Sequence, residues 1–268
     1  MNLKYTLSGF IYISPEDDCN ATVDAMLEVD YQGDFCISDS FCPKFIAGLM
    51  EAGFLVMSAD INEGGEEAEN CPVKLPDPYY ILLPKLHTVR SALFFENLRI
   101  KKSIRRFLNP SFGYELRPDA DFDLIVDRCV KKHGSAWLTP PLLECIKEIR
   151  RAAKTAQNTN KESEKALNTA DGRRSSIACP SSFALYRNGK LAAGEFGVVC
   201  GRVYTSYSGF YDEDNAGTVQ LILLTRYLQE KGFLFFDLGM PLDYKTDLGA
   251  VNIFPREFVD LFREACIQ

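Results

Sequence analysis

The pattern of apolar and polar positions predicts short strands alternating with helices along most of the chain. Residues 1–35 are predicted to form short strands and acidic turns. Two helices are predicted where a proline can occupy the first turn, one from Pro43 to Ala52 and one from Pro140 to about Ala153. A third, from Asn97 to Phe107, would carry a basic outer face. The clearest amphipathic helix has apolar residues at helical spacing at Phe122, Ile125, Val126, Cys129 and Val130.

The segment from Phe183 to Phe262 is predicted to form one compact α/β unit. Asn188-Gly189 lies between two apolar strands and tolerates positive φ, which favours a tight hairpin. Asn215 is predicted to cap the helix that follows. Phe233 to Phe236 is wholly apolar, as in a strand buried on both faces, and Asp237 comes next, at the expected exposed end of that strand.

The order of these elements suits the α/β (α+β) fold class, and within it the mixed sheet of the N-acyltransferases (GNAT-type). The chain is predicted to run through an antiparallel meander, a helix, a central strand and a closing helix. We expect a smaller N-terminal α/β domain at residues 1–96 and the acyltransferase-like domain at 97–268. Two polar stretches lack apolar periodicity: an acidic loop at 62–70, and residues 155–176, which are predicted to be a disordered insertion.

The amino-acid composition limits the classes of protein to which the chain can belong. The chain has 268 residues, 46% of them hydrophobic and 25% charged, which is ordinary for a globular protein of one or two domains. It has no apolar run long enough to cross a membrane and no signal-peptide pattern at Met1 to Phe10, so we expect a cytoplasmic protein. We also expect a monomer. Nine scattered cysteines without a Cys-x-x-Cys pair, and two histidines, suit reduced thiols and predict no metal.

Basic residues are clustered although the net charge is −7. The basic cluster lies between positions 99 and 106 and consists of Arg99, Lys101, Lys102, Arg105 and Arg106. Such a stripe can follow a phosphate backbone. On charge alone, however, the solvated outer face of a helix is the favoured interpretation.

The turn before Asn215 argues against coenzyme A as the acyl donor. Enzymes of this fold that use coenzyme A bind its pyrophosphate at a glycine-rich turn before a helix N-terminus. Here the turn reads Tyr211-Asp-Glu-Asp-Asn215, and its three carboxylates would repel a pyrophosphate. An ordinary N-acyltransferase is therefore the third hypothesis, and it requires measurable coenzyme A binding.

Several segments resemble, in order and spacing, the bacterial leucyl/phenylalanyl-tRNA–protein transferases. Arg90 to Arg106 is similar to the family stretch R-A-V-L-F-P-E-x-L-H-x-S-R-S-L-R-R. Gly194 to Phe210 resembles G-G-x-Y-G-V-x-x-G-x-x-F-x-G-E-S-M-F, and Asp237 with Leu248-Gly249-Ala250 resembles D-x-Q…S-L-G-A. Ala136-Trp137-Leu138-Thr139 is similar to T-W-I-T. The resemblance covers about residues 33–265, apart from the two polar stretches.

The resemblance implies transfer of an amino acid of the leucine and phenylalanine class from charged tRNA to the N-terminal amine of an acceptor protein. This is modification of the N-end-rule type, which leads to protein degradation. No other cofactor is implied, because the ester of aminoacyl-tRNA is already an activated acyl donor. Asp237 would be the catalytic residue that orients the amine and assists its deprotonation, and the basic cluster would bind tRNA. The implied substrate-binding residues are Trp137, which would stack on the terminal adenosine, and Tyr204, Tyr207, Ser208, Phe210 and Gly239.

Two departures from the family pattern bear on catalysis. Gly239 stands where the family has a Gln, and Tyr207 stands where it has a Glu. A relative that binds tRNA or protein N-termini without transfer is therefore the alternative. Simpler interpretations also stay open: Asp237 can start a turn, Trp137 can be a core anchor, and at least one aromatic residue of the 204–210 strand is expected in the core.

Overall fold

The computed structural model describes residues 3–61, 78–164 and 177–266. The chain divides into two compact units, the first being Met1–Thr88 with Gly134–Ile149, and the second Val89–His133 with Arg150–Gln268. The predicted acidic loop at 62–70 and the later part of the predicted insertion, 165–176, lie outside the described residues. Within the part of the chain that is described, no helix is long and apolar enough to cross a membrane.

The first unit contains two small sheets and two helices. Its elements are β1 (Lys4–Tyr5), β2 (Ile11–Tyr12), α1 (Cys19–Glu28), α2 (Pro43–Glu51), β3 (Leu55–Asp60) and β4 (Tyr80–Lys85). Strands β1 and β2 form one pair, and β3 and β4 the other. Helix α2 begins at the predicted proline and buries Ile46 and Leu49 completely. Helix α1 was not predicted; it begins where the Asp18 carboxylate accepts the N–H of Ala21 at 2.8 Å, an ordinary N-cap.

The second unit is built around a seven-stranded mixed sheet with the strand order β11-β5-β10-β9-β8-β7-β6. Its strands are β5 (Arg90–Leu93), β6 (Tyr114–Pro118), β7 (Cys179–Arg187), β8 (Lys190–Cys200), β9 (Val203–Tyr211), β10 (Phe235–Asp237) and β11 (Val251–Ile253). Its helices are α3 (Lys102–Arg105), α4 (Phe122–His133), α6 (Ala216–Glu230), α7 (Asp243–Leu248) and α8 (Pro255–Cys266). Helix α5 (Pro140–Glu164) contributes residues to both units. In this sheet, as far as its residues are described, β9 and β10 pair in parallel and the other neighbouring strands pair antiparallel.

The predicted hairpin is confirmed. Asn188 and Gly189 have φ angles of 49° and 81°, and the flanking Arg187 and Lys190 are paired across β7 and β8. Positive φ at both central residues gives a turn whose twist matches that of the strands. The hairpin supplies two of the longest strands of the sheet, and the amphipathic helix α4 packs against them as its apolar spacing predicted.

Three helix predictions need correction. The segment 97–107 is not one helix: α3 has four residues and is flanked by 3-10 turns, because the N–H of Arg99 bonds to the carbonyl of Leu248 and not along a helix. Helix α5 continues to Glu164, since its last turns hold Ala, Gln, Lys and Glu, which favour helix. Asn215 precedes α6 but makes no side-chain cap; its φ is 68°, which differs from ordinary N-cap geometry.

The sheet opens between β9 and β10. Strand β10 pairs only with Val203 to Thr205, whereas β9 continues to Tyr211. On that side, β9 has no strand partner beyond Thr205 among the described residues. A β-bulge places Ser206 and Ser208 opposite consecutive residues of β8 and leaves Tyr207 as the extra residue. The chain therefore leaves the sheet at Asp237 beside the free edge of β9, a position where open sheets commonly form binding sites.

Candidate active site

Asp237 lies at the centre of a buried hydrogen-bond network. It is completely buried, and Arg90, which is 1% exposed, donates from Nε to both carboxylate oxygens at 3.0 and 3.1 Å and from Nη2 at 2.7 Å. Thr205 Oγ1 donates to Oδ2 at 2.9 Å, and the N–H of Gly239 donates to Oδ1 at 2.9 Å. The prediction that Asp237 lies at the exposed end of its strand is thus wrong. Strands β5 and β9 flank Asp237, and the turn at Gly239 covers it.

The Asp237 carboxylate is held in its ionised form. Burial alone would raise its pKa, but the Arg90 charge and the hydrogen bonds from Arg90, Gly239 and Thr205 outweigh burial and lower it below the ordinary value. Arg90 is also stacked over the ring of Phe258, with 4.3 Å between the guanidinium carbon and the ring centroid. The ion pair of Arg90 and Asp237 therefore links β5 to β10, and the hydrogen bond from Thr205 links β9 to both.

Lys245 is the second buried charged group. From helix α7, its Nζ donates to the carbonyls of Leu238 at 2.6 Å and Met240 at 2.7 Å, so it closes the turn that follows Asp237. Burial lowers the pKa of Lys245 to about 8, although the charges of Asp237 and Glu195 favour the protonated form. An amine with a pKa this close to neutrality can exchange a proton with a reacting group.

Glu195, on β8, is the third buried ionisable group. Burial raises the pKa of Glu195 to about 7, against the opposing influence of Tyr204, Ser206 and the Lys245 charge. Its side chain is 4% exposed, and its hydrogen-bonding neighbours are the side chains of Tyr204 and Ser206. Asp237 and Glu195 thus have environments that shift their pKa values in opposite directions, a property that is common where acid–base chemistry occurs.

The predicted substrate-binding residues do not all lie beside Asp237. Tyr204 and Phe210 are buried, so each belongs to the core as well as to the predicted site. Tyr207 and Ser208 are half-buried on the part of β9 beyond β10, and Gly239, with a φ of 72°, forms the turn over Asp237. Trp137 belongs to the first unit, where it is half-buried and its carbonyl accepts the N–H of Ser58 at 2.9 Å.

The basic cluster is exposed, as predicted, although it does not form one helix. All five of its residues are exposed, and Lys101 pairs with Asp247 at 2.7 Å. Beside the cluster is a hollow of about 480 Å³. Its lining residues are Leu98, Ile100, Arg105, Leu108, Asn109 and Arg226. The two arginines among them are suited to bind phosphate groups.

Sequence reasoning missed Arg90, Glu195 and Lys245. Glu195 carried a usable signal, since it is the one charged residue between Leu191 and Cys200 in a strand of otherwise apolar and small residues. Arg90 begins the stretch that resembles the family motif but was given no role, and Lys245 carried no signal, because a lysine in a polar helix is ordinary surface composition. The described residues hold no group of three or more His, Cys, Asp or Glu side chains that could bind a metal ion.

Comparison with known proteins gives a consistent result. The family model described as leucyl/phenylalanyl-tRNA protein transferase matches residues 173–263. The leucyl/phenylalanyl-tRNA–protein transferase of Pseudomonas putida (strain W619) is 28% identical over 174 residues, which cover 64% of this chain and 66% of that protein, slightly less than two thirds of its length. The protein of the same name from Thermosynechococcus vestitus is 26% identical over 170 residues, 63% of this chain and 73% of that protein.

Two solved structures show a weaker likeness. The structure of L-PGS from Bacillus licheniformis has a TM-score of 0.41 at 10% identity and covers 99% of this chain and 89% of that chain. The crystal structure of FemX has a TM-score of 0.36 at 12% identity and covers 97% of this chain and 85% of that chain. These TM-scores are too low for the likeness to support a conclusion.

The matched region holds most of the candidate site. Residues 173–263 include Glu195, Tyr204, Asp237 and Lys245 and the opening between β9 and β10. The motifs in the sequence, the family model and the named relatives all agree. Over the matched residues, the chain is similar to the leucyl/phenylalanyl-tRNA protein transferase family and diverges from its named members in sequence.

Proposed function

We propose that this protein transfers an amino acid from aminoacyl-tRNA to the N-terminal amine of an acceptor polypeptide, in a modification of the N-end-rule type. The observation that carries the proposal is the match of residues 173–263, which build the sheet opening and the buried ionisable groups beside it. The parallel pair of β9 and β10, which separates after Thr205, further supports an N-acyltransferase (GNAT-type) sheet. Charged tRNA is abundant in the cytoplasm, where the protein would act as a monomer.

Catalysis of this reaction depends more on positioning the two substrates than on activating the acyl donor. The α-amine attacks the ester carbonyl, the bond to the tRNA 3′-terminal oxygen breaks, and the proton lost by the amine as the amide forms is taken up by that oxygen, which leaves as the tRNA hydroxyl. Because the ester is already activated, the protein needs no other cofactor and contributes chiefly by holding the two substrates together. Groups with a pKa near neutrality, as at Glu195 and Lys245, suit the proton transfer.

The role of Asp237 in orienting the amine stays a prediction. Both of its oxygens already accept hydrogen bonds from Arg90, Thr205 or Gly239. A direct contact with the amine therefore requires that one of these donors be exchanged for it. Without such an exchange, Asp237 acts as a positioning residue that fixes the turn at Gly239 and the hydroxyl of Thr205.

The basic cluster is proposed to bind the phosphates of tRNA upstream of its acceptor end. All five residues are exposed, and Arg105 also lines the neighbouring hollow. Phosphate contacts of this kind position a nucleic acid without reading its sequence. Trp137 is proposed to stack on the terminal adenosine, as aromatic side chains do with unstacked bases.

A second candidate function is binding without transfer. It is favoured by one observation: Gly239 has no side chain where the family has a Gln, and Tyr207 replaces a Glu. Under this alternative the protein would bind tRNA or a polypeptide N-terminus, and no amide would form.

The test of transfer uses radiolabelled aminoacyl-tRNA and short peptides of varied N-terminal residue. Leucyl- and phenylalanyl-tRNA are the first donors, because the relatives carry those names, and arginyl- and lysyl-tRNA are included. A peptide with an acetylated N-terminus is the control. We expect label in the free peptide and none in the acetylated one. Absence of transfer for every pair, together with measurable tRNA binding, would leave only the binding function.

A further inference from the structure

The hollow beside the basic cluster shares no lining residue with the buried network of Asp237, Lys245 and Glu195. Five of its six lining residues come from the segment 98–109 around α3, and the sixth is Arg226, from helix α6. The two elements are far apart in the chain, so the hollow exists only in the folded protein. Neither the charge pattern of the sequence nor its resemblance to a family indicated Arg226.

The size of the hollow limits the kind of ligand that it can hold. Its volume is about 480 Å³, within the range of about 300–1,000 Å³ that is usual for sites of small molecules and cofactors. A lone phosphate group would fill only a small part of this volume. A whole nucleotide, with its base, ribose and phosphate, is of a suitable size.

Three of the lining side chains are apolar, namely Leu98, Ile100 and Leu108. Each is partly buried and packs against the core of the second unit, which fixes its position. Apolar side chains fixed in this way can contact the face of a base that has left its stack. The bases of a duplex remain stacked on each other, so the nucleotide that suits the hollow belongs to an unpaired segment.

The charges of the hollow are suited to a phosphate group. Arg105 and Arg226 are both exposed, and neither has an acidic partner among the described residues. Several other arginines of the second unit are paired with carboxylates, among them Arg117, Arg128 and Arg187. The described lining residues include no Asp or Glu, so an anion meets no repulsion from the lining although the net charge of the chain is −7.

Asn109 adds a third donor to the lining. Its Oδ1 accepts the N–H of Ser111 at 2.9 Å, which orients the side chain and leaves the amide nitrogen to donate. Guanidinium and side-chain amide groups are among the donors that bind phosphate oxygens of nucleic acids. The hollow thus combines apolar contacts for a base with donors for a phosphate.

We infer that the hollow binds one nucleotide of the unpaired 3′ end of tRNA, with its phosphate on Arg105 and Arg226 and its base against the three apolar side chains. The inference rests on the proposed function and adds to it a site that extends beyond the basic cluster. The 3′ end is favoured over the loops of tRNA because it carries the reacting ester, and the hollow belongs to the same unit as the candidate active site. The rest of the basic cluster is left to contact phosphates of the duplex.

The test measures the affinity for deacylated tRNA by fluorescence anisotropy, with full-length tRNA and with tRNA that lacks its unpaired 3′ end. Arg226→Ala should weaken the binding of full-length tRNA about 10-fold or more, and should leave the binding of truncated tRNA unchanged. Arg226→Lys, which keeps the charge, should restore part of the affinity. Lys102→Ala, in the basic cluster but not in the lining of the hollow, should weaken the binding of both tRNAs by the same factor. Lys231→Ala, at an exposed position beside α6, is the control and should change neither affinity.

A free nucleotide offers the same chemistry as a nucleotide of tRNA, so the binding of adenosine monophosphate is measured as well. Binding that depends on Arg226, together with an unchanged affinity of Arg226→Ala for full-length tRNA, would assign the hollow to a free nucleotide and overturn the inference. An equal loss of affinity for full-length and truncated tRNA would also overturn it, since Arg226 would then contact another part of the tRNA.

The outcomes separate the inference from the proposed function. Absence of transfer, with a loss of affinity in Arg226→Ala that requires the 3′ end, would overturn the proposed transfer and support the inference. Transfer by a protein whose Arg226→Ala variant binds full-length tRNA as tightly as wild type does would have the opposite meaning. No binding of tRNA by the wild-type protein would overturn both.

Discussion

Two buried acids of the second unit differ in how they are stabilised. Asp237 accepts hydrogen bonds from three residues, one of them a buried arginine, whereas the hydrogen-bonding neighbours of Glu195 are the uncharged Tyr204 and Ser206. The first is therefore held ionised, and the second has its pKa raised to about 7. Asp237 therefore holds the strands of the site together, whereas Glu195 can gain or lose a proton near neutral pH.

Replacing Asp237 with Asn should destabilise the protein strongly. The change leaves the Arg90 guanidinium buried without its counter-charge, and breaking a buried pair in this way typically costs about 3–5 kcal/mol. Urea unfolding of Asp237→Asn, compared with Asp260→Asn at an exposed position of α8, measures the destabilisation. Equal stability of the two variants would contradict the role of Asp237 in the network.

Glu195 should make stability depend on pH. Its pKa is raised from 4.5 to about 7 in the folded state, so the folded state binds the proton more tightly than the unfolded state does. The resulting stabilisation is fully present below about pH 4.5 and is lost as the pH rises to about 7. The free energy of unfolding of wild type, relative to Glu195→Gln, should fall by about 3 kcal/mol across that range. Parallel pH profiles for the two proteins would contradict the raised pKa.

The sequence predicted Asp237 as a site residue from its place after an apolar run and from its spacing to Leu248-Gly249-Ala250. It did not reveal that both oxygens are occupied, because the partner Arg90 is far away in the chain and belongs to another strand. Glu195 was passed over since one charge within a strand is compatible with either face of a half-exposed sheet. Which residues face each other across a sheet depends on the tertiary structure, and a local sequence pattern does not predict it.

At the level of elements, the segment between β10 and α8 forms the wall of the site and was the least predictable part of the second unit. Helix α7 has only six residues and ends at Gly249, which has a φ of 110°. The short strand β11 then pairs with β5 at the edge of the sheet. Short elements of this kind depend on contacts with distant segments, whereas the long hairpin and the helices opened by prolines followed from local chemistry.

Gly249 should be intolerant of a side chain. Its φ lies in the region that favours glycine, and a Cβ atom there would collide with the backbone carbonyl of Asn97. Gly249→Ala is expected to cost about 1–3 kcal/mol and to lower transfer activity, because α7 carries Lys245. Thermal unfolding measures the first effect.

The control for Gly249 is Gly232→Ala. Gly232 also has a positive φ, 75°, but a Cβ atom there meets nothing within 4 Å. This variant should show only the backbone strain, about 1 kcal/mol, and should keep its activity. A cost at Gly249 no greater than that at Gly232 would mean that the contact with Asn97 does not confine the turn.

On the scale of the whole molecule, the net charge is negative, but the basic cluster is a local concentration of positive charge. The net charge is −7, yet the five residues of the cluster are all exposed and lie beside a hollow with two arginines. Electrostatic attraction of tRNA to this protein should therefore be local and sensitive to salt.

Alanine replacement of Lys102, Arg105 and Arg106 should weaken tRNA binding and make it less dependent on salt. For each phosphate that the variant no longer neutralises, the slope of log K against log salt concentration should become shallower by about 0.7 to 0.9. Fluorescence anisotropy with labelled tRNA measures both quantities. Alanine replacement of the exposed Lys190, Lys231 and Arg256 is the control and should leave the slope unchanged. If both triple variants showed the same slope of log K against log salt concentration, the basic cluster would not be part of the tRNA-binding surface.

Transfer itself is tested most directly by the mass of the product. The protein is incubated with tRNA charged with all amino acids and with a peptide that has a free N-terminus, and the peptide is analysed by mass spectrometry. We expect a peptide extended at its N-terminus by a single amino-acid residue, and no extension when the N-terminus is acetylated. A peptide of unchanged mass in both cases would contradict the proposed transfer.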